Sequence, residues 1–252
     1  MKIKDYYDGA YLAKLSAEIL EQHSDFDARS FVAATEPQLD ELEYKARVTL
    51  IAEELHAYLP GYSTALDVFS GILGNEMPHM GVMYDHGMRL APIGRYIELH
   101  ATAHPEDYGA TIEFIRQLTK RYSGEFALRP VLREWPEQTL GVIGYWSRTE
   151  DAFVRRLCSE ALRIKIPWGP KLTVALEYFT QYKAILTTLV DDENTYVRRS
   201  VANNLNELTK EDFDLGRELI REWESLPSPY VRQVVHYGTR YVRKKGLLER
   251  QT

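Results

Sequence analysis

Three stretches in the carboxyl-terminal half share one pattern of apolar and polar positions. "RTEDAFVRRLCSEALR", "DENTYVRRSVANNLN" and "PSPYVRQVVHYGTR" each place an aromatic (Phe153, Tyr196, Tyr230) before Val-Arg and then follow a helical period. Val154 to Val197 spans 43 residues and Val197 to Val231 spans 34, within the range of helical-repeat arrays. An apolar run precedes each stretch ("TLGVIGYW", "YKAILTTLV", "LGRELIREW"), across polar or proline-bearing turns. Each unit is therefore predicted as helix–turn–helix. In the middle unit Val197, Val201, Leu205 and Leu208 fall on one stripe, while Arg199, Asn203 and Asn206 line another face with Glu207 at its edge. The matching places hold Arg156, Glu160 and Arg163 in the first unit, and Gln233, Tyr237 and Arg240 in the third.

The amino-terminal half is helical with less regular repetition: "YLAKLSAEILEQH", "LDELEYKARVTLIAEELHAYL" and "TIEFIRQLTKRY" all keep the 3.6-residue period. No run of alternating strand positions occurs, so the class is all-α. The expected organisation is one domain over 1–252, with less regular helices in 1–122 and clear repeats in 123–252. Between the helical runs, "LGNEMPHMGVMYDHGMRLAPIG" reads as a loop or broken helix. Stacked repeats bring equivalent positions side by side on an extended concave surface.

Charge sharpens that picture. The net charge is −6, but residues 1–127 hold 20 acids against 11 bases and residues 128–252 hold 17 against 20. A basic half on an acidic chain, its helices lined with Arg, Asn, Tyr and His, suits a polyanion. No apolar run approaches the ~20 residues that span a bilayer, and the amino terminus lacks the apolar centre of a signal peptide. Cys158, the only cysteine, excludes an intrachain disulfide and any multi-thiolate metal site; it falls on an apolar stripe. A cytoplasmic, monomeric protein without membrane association is expected.

The methionine-rich segment gathers Met77, His79, Met80, Met83, His86 and Met88. Methionine commonly fills irregular gaps in a core, and without regular ligand spacing no metal site is assigned. His100 and His104 read as a surface pair at a helix end. Three carboxylates sit among arginines or asparagines: Glu125 in "SGEFALRP", Glu160 in "CSEALR" and Glu207 in "NLNEL". Each either braces an arginine through a salt bridge or serves to stabilise a cation, because an acid facing phosphate repels it.

"GEFALRPVL", "FVRRLCSEALRIKIPW", "YVRRSVANNLNELTK" and "VVHYGTRYVRKKG", in this order along essentially the whole chain, resemble the AlkC branch of the AlkC/AlkD DNA alkylation-repair glycosylases. The resemblance implies a right-handed α-solenoid of HEAT-like repeats with a basic concave DNA-binding face. It implies a monofunctional hydrolase, without cofactor, that removes cationic N3-alkylated bases such as 3-methyladenine and 3-methylcytosine from double-stranded DNA. The family's active-site residues match Glu125, Glu160, Glu207 and Trp168. On the binding face the first repeat offers Arg155, Arg156, Arg163 and Lys165. The second offers Arg198, Arg199, Asn203 and Asn206, and the third Arg232, His236 and Arg240. The chain departs from the pattern with Ala161 for Gly, Ile164-Lys165-Ile166 for Pro-Arg-Leu and Glu207 for Asp. It ends soon after Gly246, so no extra immunoglobulin-like domain is expected. Two other readings fit the repeats: a non-catalytic module that binds damaged or branched DNA, and a protein-binding helical scaffold.

Overall fold

The structure, a computed structural model, describes residues 2–167 and 169–247, apart from the side chains of residues 84 and 85. Among the described residues all regular structure is helical, as the periodicity predicts. The chain forms two compact units, Met1–Pro130 and Val131–Thr252. Their boundary falls inside a helix, α8 (Glu125–Glu134). No helix among the described residues is long and apolar enough to cross a membrane.

In the first unit the chain runs through α1 (Gly9–Gln22), α2 (Ala28–Leu39), α3 (Tyr44–Tyr58), α4 (Tyr62–Ile72), α5 (Met83–Gly87), α6 (Ala91–His100) and α7 (Tyr108–Thr119). Helix α1 packs on α2 and α4, α3 on α2 and α6, and α4 on α7. Residues spaced three or four apart make the contacts: Leu12, Leu15 and Ile19 of α1, Ile51 and Leu55 of α3, Ile93 and Ile97 of α6, all buried. Gly74, at φ +69°, ends α4 in the left-handed conformation, and Arg89 Nη2 donates to the carbonyls of Ile72 and Leu73 at 2.8 and 2.6 Å.

The methionine-rich segment is a broken helix, with short 3₁₀ turns on either side of α5. Met77 and Met80 are buried in the core. The His79 Nδ1 accepts from the Gly81 N–H at 3.2 Å and the His86 Nε2 lies 3.3 Å from the Asn75 carbonyl, so both rings serve the turns. His100 and His104, expected as a surface pair at a helix end, lie on either side of a 3₁₀ turn at Ala101–Ala103. His100 stacks on His56, with centroids 3.9 Å apart, and His104 on Tyr62 at 4.6 Å.

The second unit shows the predicted helix pairs: α9 (Pro136–Trp146) with α10 (Ala152–Ala161), α12 (Phe179–Leu189) with α13 (Thr195–Glu211), and α14 (Phe213–Glu224) with α15 (Pro229–Gly238). The short α11 (Val174–Glu177) and α16 (Arg240–Lys244) complete it. Helix α13 is central, touching α10, α12, α14, α15 and α16. Its predicted seam of Val197, Val201, Leu205 and Leu208 is completely buried, as is Cys158 on α10.

The repeat signature has a local cause. Asp151, Asn194 and Ser228 cap α10, α13 and α15, each accepting the N–H of the aromatic two residues on, Phe153, Tyr196 or Tyr230. The valine after the aromatic then points into the core in all three. In the first two repeats the next arginine folds back over the cap. Arg155 Nη1 donates to the carbonyls of Thr149 and Glu150, and Arg198 Nη1 to those of Asp192 and Glu193. These are the residues five and six positions earlier in both cases.

Candidate active site

Glu160 lies on the last turn of α10, with Arg163 just past the helix end and Arg156 one turn before. The Glu160 Oε1 accepts from Arg163 Nη1 at 2.6 Å and lies 3.8 Å from Arg156 Nη2. Its Oε2 accepts from the Ser200 hydroxyl of α13 at 2.6 Å. Arg163 also donates through Nε, at 3.0 Å, and through Nη2 to the Glu207 Oε1. The Glu207 Oε2 accepts the backbone N–H of Lys165 at 3.2 Å. The result is an alternating row, Arg156–Glu160–Arg163–Glu207, joining the end of α10 to α13. The side chains of Glu160, Arg163 and Glu207 are 10–12% exposed.

Burial works to raise the pKa of Glu160, but Arg156, Arg163 and the Ser200 hydroxyl together outweigh it and hold the carboxyl below its ordinary range. Burial likewise opposes the charge on Arg163, and the two glutamates overcome it. Ionised Glu160 therefore persists in a dry setting. Each carboxylate oxygen can accept about two hydrogen bonds, which leaves Glu160 acceptor capacity for a water or a reacting sugar.

The second unit also carries a set of cations and one ring. Tyr237 of α15 is partly exposed, with the Arg240 guanidinium 4.2 Å and the Arg199 guanidinium 5.9 Å from its centroid. Arg240 Nη2 donates to the Asn203 Oδ1 at 3.0 Å. Arg199, Arg232, His236 and Lys165 are exposed, and Arg243 reaches back to the His236 ring at 3.0 Å.

Other expected face residues serve the fold. Arg155 pairs with Asp192 at 2.6 Å in addition to its two turn carbonyls, and the hydrogen bond to Asp192 raises its pKa against the opposing effect of burial. Arg198 is buried and its guanidinium stacks on Tyr230 at 4.0 Å. Both were expected to meet phosphate; the cap carbonyls engage them instead. Asn206, expected on the same open face, is 2% exposed, because α13 is packed by neighbours on most of its sides.

Glu125 is buried at the start of α8 with the Ser123 hydroxyl on its carboxylate, and belongs to the first unit. Trp168 lies outside the described residues. The chain on either side of it is closed by the Gly169 N–H to the Ile166 carbonyl at 3.2 Å and the Leu172 N–H to the Ile164 carbonyl at 2.9 Å. Sequence reasoning missed Ser200 and Asn204. Their signal was present: two polar residues at i, i+4 flanking the apolar Val201 and Leu205 of a seam.

No family model matches the sequence. A relative from Bacillus subtilis (strain 168), described as "Uncharacterized protein YhaZ", is 29% identical over 246 residues, covering 97% of this chain and 65% of the relative. The solved structure of Pseudomonas fluorescens alkylpurine DNA glycosylase AlkC, bound to DNA containing an abasic site analog, superimposes with a TM-score of 0.82 at 25% identity. That match covers 98% of this chain and 66% of the other. The chain thus spans just under two thirds of the length of each. The ordered motifs, the helical repeats and this superposition agree in making the chain similar to the AlkC glycosylase structure over nearly its whole length.

Proposed function

We propose that the protein is a monofunctional DNA glycosylase that hydrolyses the N-glycosidic bond of cationic N3-alkylated bases, 3-methyladenine and 3-methylcytosine, in double-stranded DNA. The observation that carries this reading is Glu160, a buried carboxylate that its neighbours keep ionised. Alkylation of a ring nitrogen makes the base cationic and a good leaving group. What remains is to stabilise the oxocarbenium character of the sugar and to place a water, and a preorganised carboxylate does both. Glu207 and Glu125 are assigned to the same task, and Trp168 to stacking on the cationic base, on the strength of the motif resemblance; an indole face adds ~0.5–2 kcal/mol while the charge persists. Arg199 and Arg240, with Arg232, His236 and Lys165, are assigned to phosphates, which set position and carry little sequence preference. The enzyme works as a single chain in the cytoplasm on double-stranded DNA with alkylated bases. The AlkC relative, an alkylpurine DNA glycosylase bound to DNA containing an abasic site analog, supports the activity class.

One observation favours a second reading, a DNA-binding module without catalysis: both oxygens of Glu160 and of Glu207 already accept hydrogen bonds from the protein. Methylated duplex DNA incubated with the purified protein distinguishes the two. Free 3-methyladenine and an abasic strand are the expected products; tight binding with no released base would establish the second reading.

A further inference from the structure

The Ser200 hydroxyl has a place in the site that no motif assigned. Ser200 is 2% exposed and Glu160 7%. An ionised carboxylate only accepts, so the hydroxyl donates, and 2.6 Å is the length of a charge-assisted O–H···O bond. The two arginines reach the other oxygen, Oε1. The carboxylate is thereby held from two sides, and its plane is set by donors on two different helices.

Asn204 explains why the serine arrives there. It is fully buried, one turn after Ser200 on α13. Its Nδ2 donates to the Ser159 carbonyl of α10 at 2.8 Å and to the Ser200 carbonyl at 3.0 Å. Its Oδ1 accepts from the Tyr182 hydroxyl of α12 at 3.2 Å. Three helices are locked in register by this one amide, beside the residue that precedes Glu160. A shift of α13 by one residue, ~1.5 Å along its axis, would break these bonds and withdraw the serine.

We propose that Ser200, set in register by Asn204, is a positioning residue that keeps Glu160 a carboxylate and fixes its direction; this rests on the glycosylase reading. The charged and titratable groups around Glu160 are Arg156 and Arg163 from α10 and its exit, Glu207 from α13 behind Arg163, and Tyr182 from α12. Burial, with Glu207 nearby, holds the Tyr182 hydroxyl in its neutral form. Removing the Ser200 donor leaves a buried carboxylate oxygen with one partner fewer, which favours protonation of Glu160.

The test uses the full chain and Ser200→Ala, Ser200→Cys and Ser200→Thr. Single-turnover release of 3-methyladenine, corrected for spontaneous release, is followed from pH 3 to 8, and the Glu160 carboxyl carbon is titrated by NMR over the same range, its signal assigned by loss in Glu160→Gln. Ser200→Ala should move the acidic limb and the carboxyl titration up together by about one unit or more, a ~10-fold loss of rate below the limb and much less near pH 8. Ser200→Thr, which keeps the hydroxyl, should retain the wild-type limb, and Ser200→Cys, a weak donor, should fall between. A lowered melting temperature with unmoved limb and titration would overturn the proposal and leave a packing role. If Ser200→Ala does not fold, a Ser200→Cys titration equal to wild type overturns it. Failure of the wild type to release base at any pH would sink the glycosylase reading instead, and the carboxyl titration then decides the role of Ser200 on Glu160.

Discussion

Replacing Arg163 by Met tests how the charged row is held. The perturbation removes one guanidinium and strands two carboxylates whose side chains are only 10% and 11% exposed. Glu160 keeps Arg156 at 3.8 Å and the Ser200 bond; Glu207 keeps the Lys165 N–H. Breaking a buried pair by deleting one partner costs ~3–5 kcal/mol, which for a chain of this size lowers the melting temperature by about 6–20 °C. Glu207 is left with less, so adding Glu207→Gln to Arg163→Met should restore about 1–2 kcal/mol of the loss. The pH dependence follows from the depressed pKa of Glu160. A depressed carboxyl contributes stability that is present above its unfolded pKa and lost as pH falls through the folded value. The variant lacks much of that contribution, so its deficit should shrink below about pH 5. Thermal melts of wild type, both single variants and the double variant from pH 4 to 8 supply the comparison. A cost under about 1 kcal/mol at neutral pH, with no recovery in the double variant, would show that Arg163 does not hold the glutamates.

Arg199→Ala should weaken binding to damaged and undamaged duplex alike and lower the slope of log affinity against log salt by about one, as for one lost phosphate contact; a loss confined to damaged duplex would mean that it reads the lesion. Arg198→Ala should instead destabilise the fold by about 1–3 kcal/mol, through its lost carbonyl partners and its stack on Tyr230, while the salt slope stays at the wild-type value. A reduced slope with an unchanged melt would return Arg198 to the phosphate-binding set.

The helix pairs and the core seam of the second unit were legible because the apolar period and the cap-x-aromatic-Val-Arg signature both have local causes. The face residues were legible only in part. Phasing along a single helix cannot see that Arg155 and Arg198 begin beside a cap whose carbonyls draw the guanidinium back. Nor can it see how many neighbours α13 has, which is why Asn206 is buried where an open face was expected. Glu160 and Glu207 stood out as acids among arginines and asparagines, and motif resemblance gave them a role, but their meeting through Arg163 depends on a contact between residues 44 apart in the chain. Ser200 was passed over for the same reason: its partner is 40 residues away on another helix.

The central claim is that a buried, ionised Glu160 drives base release, and one comparison tests it most directly. Single-turnover release of 3-methyladenine from methylated duplex is measured at saturating protein for wild type and Glu160→Gln, with melting temperature and duplex affinity recorded on the same samples. The account predicts a folded variant that binds duplex at least as well as wild type, since one negative charge is gone, and releases base ~10²-fold more slowly or worse. Near-wild-type release from Glu160→Gln, with melting temperature and affinity falling together, would contradict it and reduce Glu160 to a brace for its arginines.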